Sequence, residues 1–280
     1  MARRRIAKEP VSRLAIWARR CALFALAATV CVIIIVRAGW IEVDPSLAAV
    51  TGALAIAGLA ILLAFGALII IWREGIDGVG PSLIAIMIGA CLLAYPAYLA
   101  TRFVRTPAIS DVTTDMRDPP RFDQAARFRP RGTNEYPGTA TSERQRAAYP
   151  DIEPLQVLAS VQVAYEAARS VVSKRKWNVI LERPPQGVRR DAQIEAVART
   201  PVLGFREDVV VRVRATADGA RIDVRSASRY GQHDLGSNAT RVRALLEDID
   251  DAVATLLEER RRPQATKAPP PKLPPQPTKR

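Results

Sequence analysis

The chain has 280 residues and a net charge of +13, yet residues 1–102 hold only 10 basic and 5 acidic side chains. Residues 103–280 hold the other 31 basic and 23 acidic ones, so a mean hydropathy near zero averages an oily third and a polar two-thirds. That excludes a single soluble domain, and the large apolar fraction excludes full disorder.

Three apolar segments open the chain. The first covers 14–38, with its charge-free core at 21–36; the second covers 46–72 and the third 81–101, both without a charge. A helix needs about 20 apolar residues to cross about 30 Å of hydrocarbon. The last two qualify outright, and Arg19 and Arg20 can snorkel outward from the first. Trp17, Trp40 and Trp72 stand at segment ends, where amphipathic indoles settle. Seven basic residues flank the first segment on its amino-terminal side: Arg3, Arg4, Arg5, Lys8, Arg13, Arg19 and Arg20. That bias predicts the amino terminus inside and, after three spans, the polar part outside. Residues 36–38 would also suit signal-peptide cleavage, but the long amino-terminal region favours an uncleaved span. No ionisable group lies inside the second or third span, which argues against a carrier and for an anchor. Ala49, Ala53 and Ala57 form a small-residue stripe, read as plain alanine richness ahead of a dimer seam. Pro96 predicts a kink in the third helix.

Residues 103–153 form a proline-rich connector. Phe103, Phe122, Phe128, Tyr136 and Tyr149 predict an ordered coil pinned over the following domain, where a free linker would be richer in glycine and serine. From Leu155 the periodicity becomes legible. Leu155, Val157 and Ala159 alternate as a short strand, and Ser160 stands as an N-cap. A helix follows through Val161, Ala164, Tyr165, Ala168, Val171 and Val172. Strands are predicted around Trp177–Leu181, around Ile194–Ala198, and on both sides of the Asp218-Gly219 hairpin signal. In the hairpin, Val209, Val211 and Val213 face one way and Arg212 and Arg214 the other. Glu207 and Asp208 are expected to pair with the strand that follows. Gly236-Ser237-Asn238 opens a last helix with a one-sided stripe from Val242 to Leu257. The expected fold is a membrane-anchored α+β protein. Three N-terminal transmembrane helices (1–102) and the connector precede a two-layer domain (154–262). That domain has about four antiparallel strands, apolar on one face and charged on the other, and two helices. A basic proline-rich tail (263–280) ends the chain, read as solvated low-complexity sequence with polyproline II character.

Chemistry is sparse in this pattern. Cys21, Cys31 and Cys91 all lie in apolar runs, and His233 is the single histidine. The polar part therefore has no disulfide and no thiolate metal site, and no cofactor is expected. The densest polar cluster runs from Asp223 to Asn238. Backbone N–H groups at the last helix start, beside Arg225, Arg229 and Arg241, suit an anion or a lipid headgroup. A Ser–His–Asp hydrolase using Ser226 or Ser228, His233 and Asp234 lacks a G-x-S-x-G elbow, and adjacent His233-Asp234 orient each other poorly. The blander alternative, preferred on residue types, is a salt-bridged sheet face left in solvent, with a well-capped helix.

Several blocks resemble the uncharacterised domain-of-unknown-function family numbered 1499. They are Asp115-x-x-Asp118-Pro119-Pro120-x-Phe122, Gln145-Arg146-x-x-Tyr149-Pro150-Asp151-Ile152-x-Pro154-Leu155 and Gly204-Phe205-x-x-Asp208-Val209-x-x-Arg212-Val213. The longest runs Asp223-Val224-Arg225-Ser226-x-Ser228-Arg229-x-Gly231-x-x-Asp234-Leu235-Gly236-x-Asn238-Ala239-x-Arg241. The resemblance implies a bacterial or plastid envelope-associated domain without an assigned activity. It supports Arg225, Ser226, Ser228, Arg229, Asp234, Gly236, Asn238 and Arg241 as the candidate anion or partner surface, which Asp208 joins because its strand is expected to pair with theirs and bond these arginines. The sequence thus predicts a multi-pass protein of a bacterial inner membrane with a periplasmic, non-catalytic interaction domain. Its expected partners are the lipid bilayer and an anionic lipid, an envelope polymer or another membrane protein. Nucleic acid is not expected. A structural subunit of a membrane complex is the alternative.

Overall fold

A computed structural model of the protein describes residues 10–129, 133–134, 139–186 and 191–266. Arg3, Arg4, Arg5 and Lys8 of the basic flank, Pro130, Tyr136 and Pro137 of the connector, Gly187, and tail residues 267–280 lie outside the described residues.

Three long helices come first: α1 (Arg13–Ala38), α2 (Val43–Glu74) and α3 (Val79–Arg105). Each is long and apolar enough to cross a membrane. Gly39 and Gly75 end the first two in left-handed conformation, φ 76° and 66°, where a side chain would be strained. Small residues line the helix contacts. Ala18 and Ala22 of α1 meet Ala60 and Ala64 of α2 and Ala85 of α3, all fully buried. Close approach of this kind drives helix association in lipid, where no hydrophobic force operates between helices. Ala53 and Ala57 are buried inside the chain's own bundle while Ala49 is exposed. The stripe therefore serves internal packing. Gly89 of α3 marks a close approach, since a Cβ there would stand 2.6 Å from Ile61 Cγ1 and 3.1 Å from the Ala57 carbonyl.

The chain divides into two compact units, the first reaching Ala108 and taking in Arg199–Arg206, the second starting at Ile109. The second unit is built on one antiparallel sheet. Its strands are β1 (Asp111–Thr113), β2 (Leu155–Val157), β3 (Asn178–Arg183), β4 (Ala192–Arg199), β5 (Arg206–Ala215) and β6 (Ala220–Ser228). Their order is β1-β6-β5-β4-β3, with β2 on β6 as well. β1 pairs with the end of β6 and β2 with its start, so two short strands share one edge. The β5–β6 hairpin holds register from Glu207↔Ser228 to Ala215↔Ala220, which is the pairing expected for Glu207 and Asp208. Gly219 at its turn is required by space, because a Cβ would come within 2.2 Å of the Val157 carbonyl.

Two helices close the apolar face: α6 (Val161–Lys174) and α7 (Ser237–Thr266). Ser160 caps α6 through the Val163 amide. Val163, Val171, Leu245 and Ile249 pack on Ile194, Val209, Val211, Ile222 and Val224, all nearly inaccessible. This matches the expected two-layer α+β arrangement. Two expectations change. The sheet has six strands where the sequence indicated about four, and the connector is more than coil. It supplies β1, α4 (Gln124–Arg127) and α5 (Thr139–Ala148). The short strand at Leu155 is the expected one; β1 is not, because its three residues show no period and Asp111 is a weak strand signal.

The connector also changes the environment of the charged sheet face. Asp208, Asp223, Glu195, Arg212 and Arg225 point away from the helices, yet each is at most 7% exposed. Asp118, Pro120, Phe122 and Arg129 of the connector lie against them. The charge alternation on β5 and β6 predicts a solvated face; the face is buried instead, because the connector supplies opposite charges for it. Of the five connector aromatics, Phe122 stacks under Arg225 at 4.6 Å and Tyr149 joins the core. Phe103 and Phe128 are largely exposed.

Candidate functional site

The residues singled out by sequence do come together at one end of the sheet, but on its two faces. Strand alternation sends Ser226 and Ser228 of β6 toward the helices and Arg225 to the other side. On the connector side, Arg225 makes a two-pronged bond to Asp111, Nε at 3.0 Å and Nη2 at 2.7 Å. Its Nη1 donates to the Pro120 carbonyl at 2.9 Å. Arg229 donates from Nε and Nη2 to Asp208 Oδ1, and Arg129 from Nε to Asp208 Oδ2. Farther along the same face, Arg212, Arg214 and Arg221 each bond both Asp115 and Asp223, and the first two also reach Asp118. Burial pushes the Asp115 carboxyl up. The Asp118 and Arg117 amides and the Arg221 and Arg214 guanidiniums outweigh it and hold it below its ordinary value. Ions so fully paired are stabilised only by their partners, since desolvation opposes each one alone.

On the helix side a second polar network replaces the apolar core at the start of α7. Asn238, fully buried, accepts from Ser226 Oγ at 2.8 Å. Its Nδ2 donates to Ser228 Oγ and to the Ser110 carbonyl, both at 3.0 Å. Ser228 Oγ and Ser237 Oγ donate to Glu207 Oε1 at 2.9 and 3.1 Å. Arg241 closes the circuit with Glu207 and with Ser226 and Asn238.

The helix N-terminus itself is occupied. Asp234 accepts from the Gly236 and Asn238 amides, both at 2.8 Å. These are the N–H groups that an external anion would use. Burial, helped by the charge of Glu207, raises the Asp234 carboxyl above its ordinary range against those two amides. Gly236 at φ 76° and Leu235 at φ 56° turn the chain so that Asp234 can reach forward. A leucine in that region is uncommon and costs about 1 kcal/mol or more.

His233 Nδ1 accepts from the Leu235 amide at 3.0 Å, and each serine hydroxyl is directed to Asn238 or Glu207. Glu207 is in turn ion-paired with Arg241. This arrangement serves bonding within the fold and gives neither serine a histidine base through these bonds. Among the described residues, no three His, Cys, Asp or Glu side chains stand together to hold a metal ion.

Residue-type reasoning missed Glu195. It is fully buried and accepts from the amides of Asp123, Gln124 and Ala125 at 2.7–3.0 Å. An acid in a strand that otherwise reads Ile194-x-Ala196-x-Ala198 was the available signal.

Residues 111–249 match the model of a family described as protein of unknown function, DUF1499, and over that region the chain resembles it. The match runs from β1 into α7 and so takes in the whole sheet. No curated protein and no solved structure matches the chain.

Proposed function

We propose that this chain holds its DUF1499 region on the outer face of a bacterial inner membrane, as a non-catalytic interaction module. One observation carries the non-catalytic part. The charged and hydroxyl side chains of the family motif are bonded to one another, from Asp111–Arg225 to Glu207–Arg241. Catalysis needs a group with spare bonding capacity aimed at a reactant. The motif instead spends its groups on joining the connector, the sheet and α7.

The outward side rests on the basic amino-terminal flank and on the odd number of spans. The bilayer is then the first partner, and a membrane protein, anionic lipid or envelope polymer a second. Assembly through the Ala49, Ala53 and Ala57 stripe is not favoured, because two of the three are used inside the bundle.

The side is tested with one cysteine. Leu158 is 83% exposed on a turn of the second unit. With Cys21, Cys31 and Cys91 replaced by alanine, Leu158→Cys should react with an impermeant maleimide in intact cells. Reaction only after lysis would overturn the outward placement.

A further inference from the structure

Two helices do not cover the whole sheet. α7 packs on β6, β1 and β2, and α6 lies beside α7 and reaches β6. On the other side of α6, the edge strand β3 keeps Val179, Ile180 and Leu181 partly exposed. A groove of about 540 Å³ lies there. Trp177, Val179 and Ile194 give it apolar walls, and Glu166, Arg169, Lys174 and Glu182 a rim that carries both signs of charge.

We propose that this groove holds the chain's own proline-rich segment, residues 267–280. The position at which α7 ends supports this. α6 and α7 run antiparallel: Arg175 after the end of α6 bonds the Ala244 carbonyl and Asp248, while Glu166 near its middle bonds Arg260. α7 therefore carries the chain past the Glu166 end of the groove before Thr266. Fourteen residues follow, six of them proline, and such a segment spans about 43 Å in polyproline II form. Crossing α6 takes about 10–12 Å, and the distance along α6 from Glu166 to its end at Lys174 is about 12 Å. The reach is sufficient.

The chemistry fits as well. Proline-rich segments dock in aromatic-lined grooves because they are already extended and lose little freedom. Trp177 is the only tryptophan in the polar part of the chain. Leu273 is the one large apolar side chain of the segment, suited to the Val179 and Ile194 wall. Lys267 and Lys272 can meet Glu166 and Glu182, whose present partners Arg260 and Arg169 are exposed pairs that exchange easily. A short tether holds the segment at about millimolar effective concentration, so even a contact of about 0.1 mM leaves the groove about nine-tenths filled.

The full chain in detergent provides the test, with Trp17, Trp40 and Trp72 changed to phenylalanine so that Trp177 reports alone. Deleting 267–280 should raise acrylamide quenching of Trp177 about twofold or more, as loss of a nearly filled cover requires. A synthetic 267–280 peptide should reverse the rise, and a scrambled one should not. In parallel, Ser170→Cys with Leu273→Cys, in a chain lacking the native cysteines, should form a disulfide within one chain. Unchanged quenching together with no disulfide would overturn the proposal. A disulfide formed only between chains would overturn it too, and would assign the groove to a second copy. None of these outcomes depends on the side of the membrane, so they are separable from the Leu158→Cys result.

Discussion

Removing the Arg225 side chain separates a scaffold from a ligand site. Arg225 is 5% exposed and Asp111 is 6% exposed. In Arg225→Ala, the Asp111 carboxylate loses a two-pronged partner, the Pro120 carbonyl loses its donor, and Phe122 loses the guanidinium 4.6 Å from its ring. Breaking a buried pair from one side costs about 3–5 kcal/mol, and the cation–π contact adds about 0.5–2 kcal/mol. A total near 5 kcal/mol corresponds to a fall in melting temperature of about 10–20 °C for a domain of this size. The assay is thermal unfolding of the full chain in detergent, followed by near-ultraviolet circular dichroism beside the wild type.

The pairing has a further signature. Because desolvation nearly cancels the attraction within a buried pair, Asp111→Leu combined with Arg225→Met should recover much of the loss. A loss below about 1 kcal/mol, well under the buried-pair range, would refute the reasoning. So would an unchanged melting temperature accompanied by lost binding to anionic vesicles. That second result would restore Arg225 to a ligand surface.

Glu195→Ala should cost about 3 kcal/mol, because the buried Ala125 amide and the partly buried Asp123 and Gln124 amides lose their acceptor; Glu195→Gln should recover part, and hydrogen exchange at residues 123–125 should accelerate in the same order. Gly89→Val should weaken packing of α3 on α2 by about 1–3 kcal/mol, read as lower thermal stability in detergent, since Ile61 already fills the space. The lowered Asp115 carboxyl contributes stability that is present above its ordinary value of 3.8 and is lost as pH falls through its folded value. The raised Asp234 carboxyl has the opposite sign: its contribution is present below 3.8 and is lost as pH rises through the folded value. Melting curves of Asp115→Asn should therefore lose less stability in acid than the wild type, and those of Asp234→Asn should lose less between pH 3.8 and neutrality.

Periodicity in the sequence was enough to locate the spans, α6, the β5–β6 hairpin and α7. Each is long relative to its own period, and Ser160 and the Asp218-Gly219 turn supply local punctuation. β1 was not legible, because three residues carry no period and its hydrogen bonds are made with Ala227, Ser226 and Arg225 far along the chain. The partners of the candidate residues were legible only in part. Asp208 beside Arg229 followed from hairpin register. Arg225 with Asp111, and Arg212 with Asp115 and Asp118, are separated by about a hundred residues. No local pattern joins them. Burial of the charged face was likewise invisible, since alternating charge on a strand looks the same whether water or another segment covers it.

These pairings give the family motif a physical meaning. Its early block supplies Asp115, Asp118 and Phe122, its middle block Asp208 and Arg212, and its last block Arg225, Arg229, Asp234 and Asn238. Each of these three blocks meets residues of another across the sheet, so each is needed to satisfy the rest. Pairs of this kind add little net stability, but a wrong register would leave an ion buried without its partner, at a cost of several kcal/mol. Such a motif specifies one arrangement of connector, sheet and closing helix. It follows that the motif is a poor guide to what the domain binds. Binding should be sought where side chains keep spare surface, and the groove beside β3 is formed by residues that lie outside every motif block.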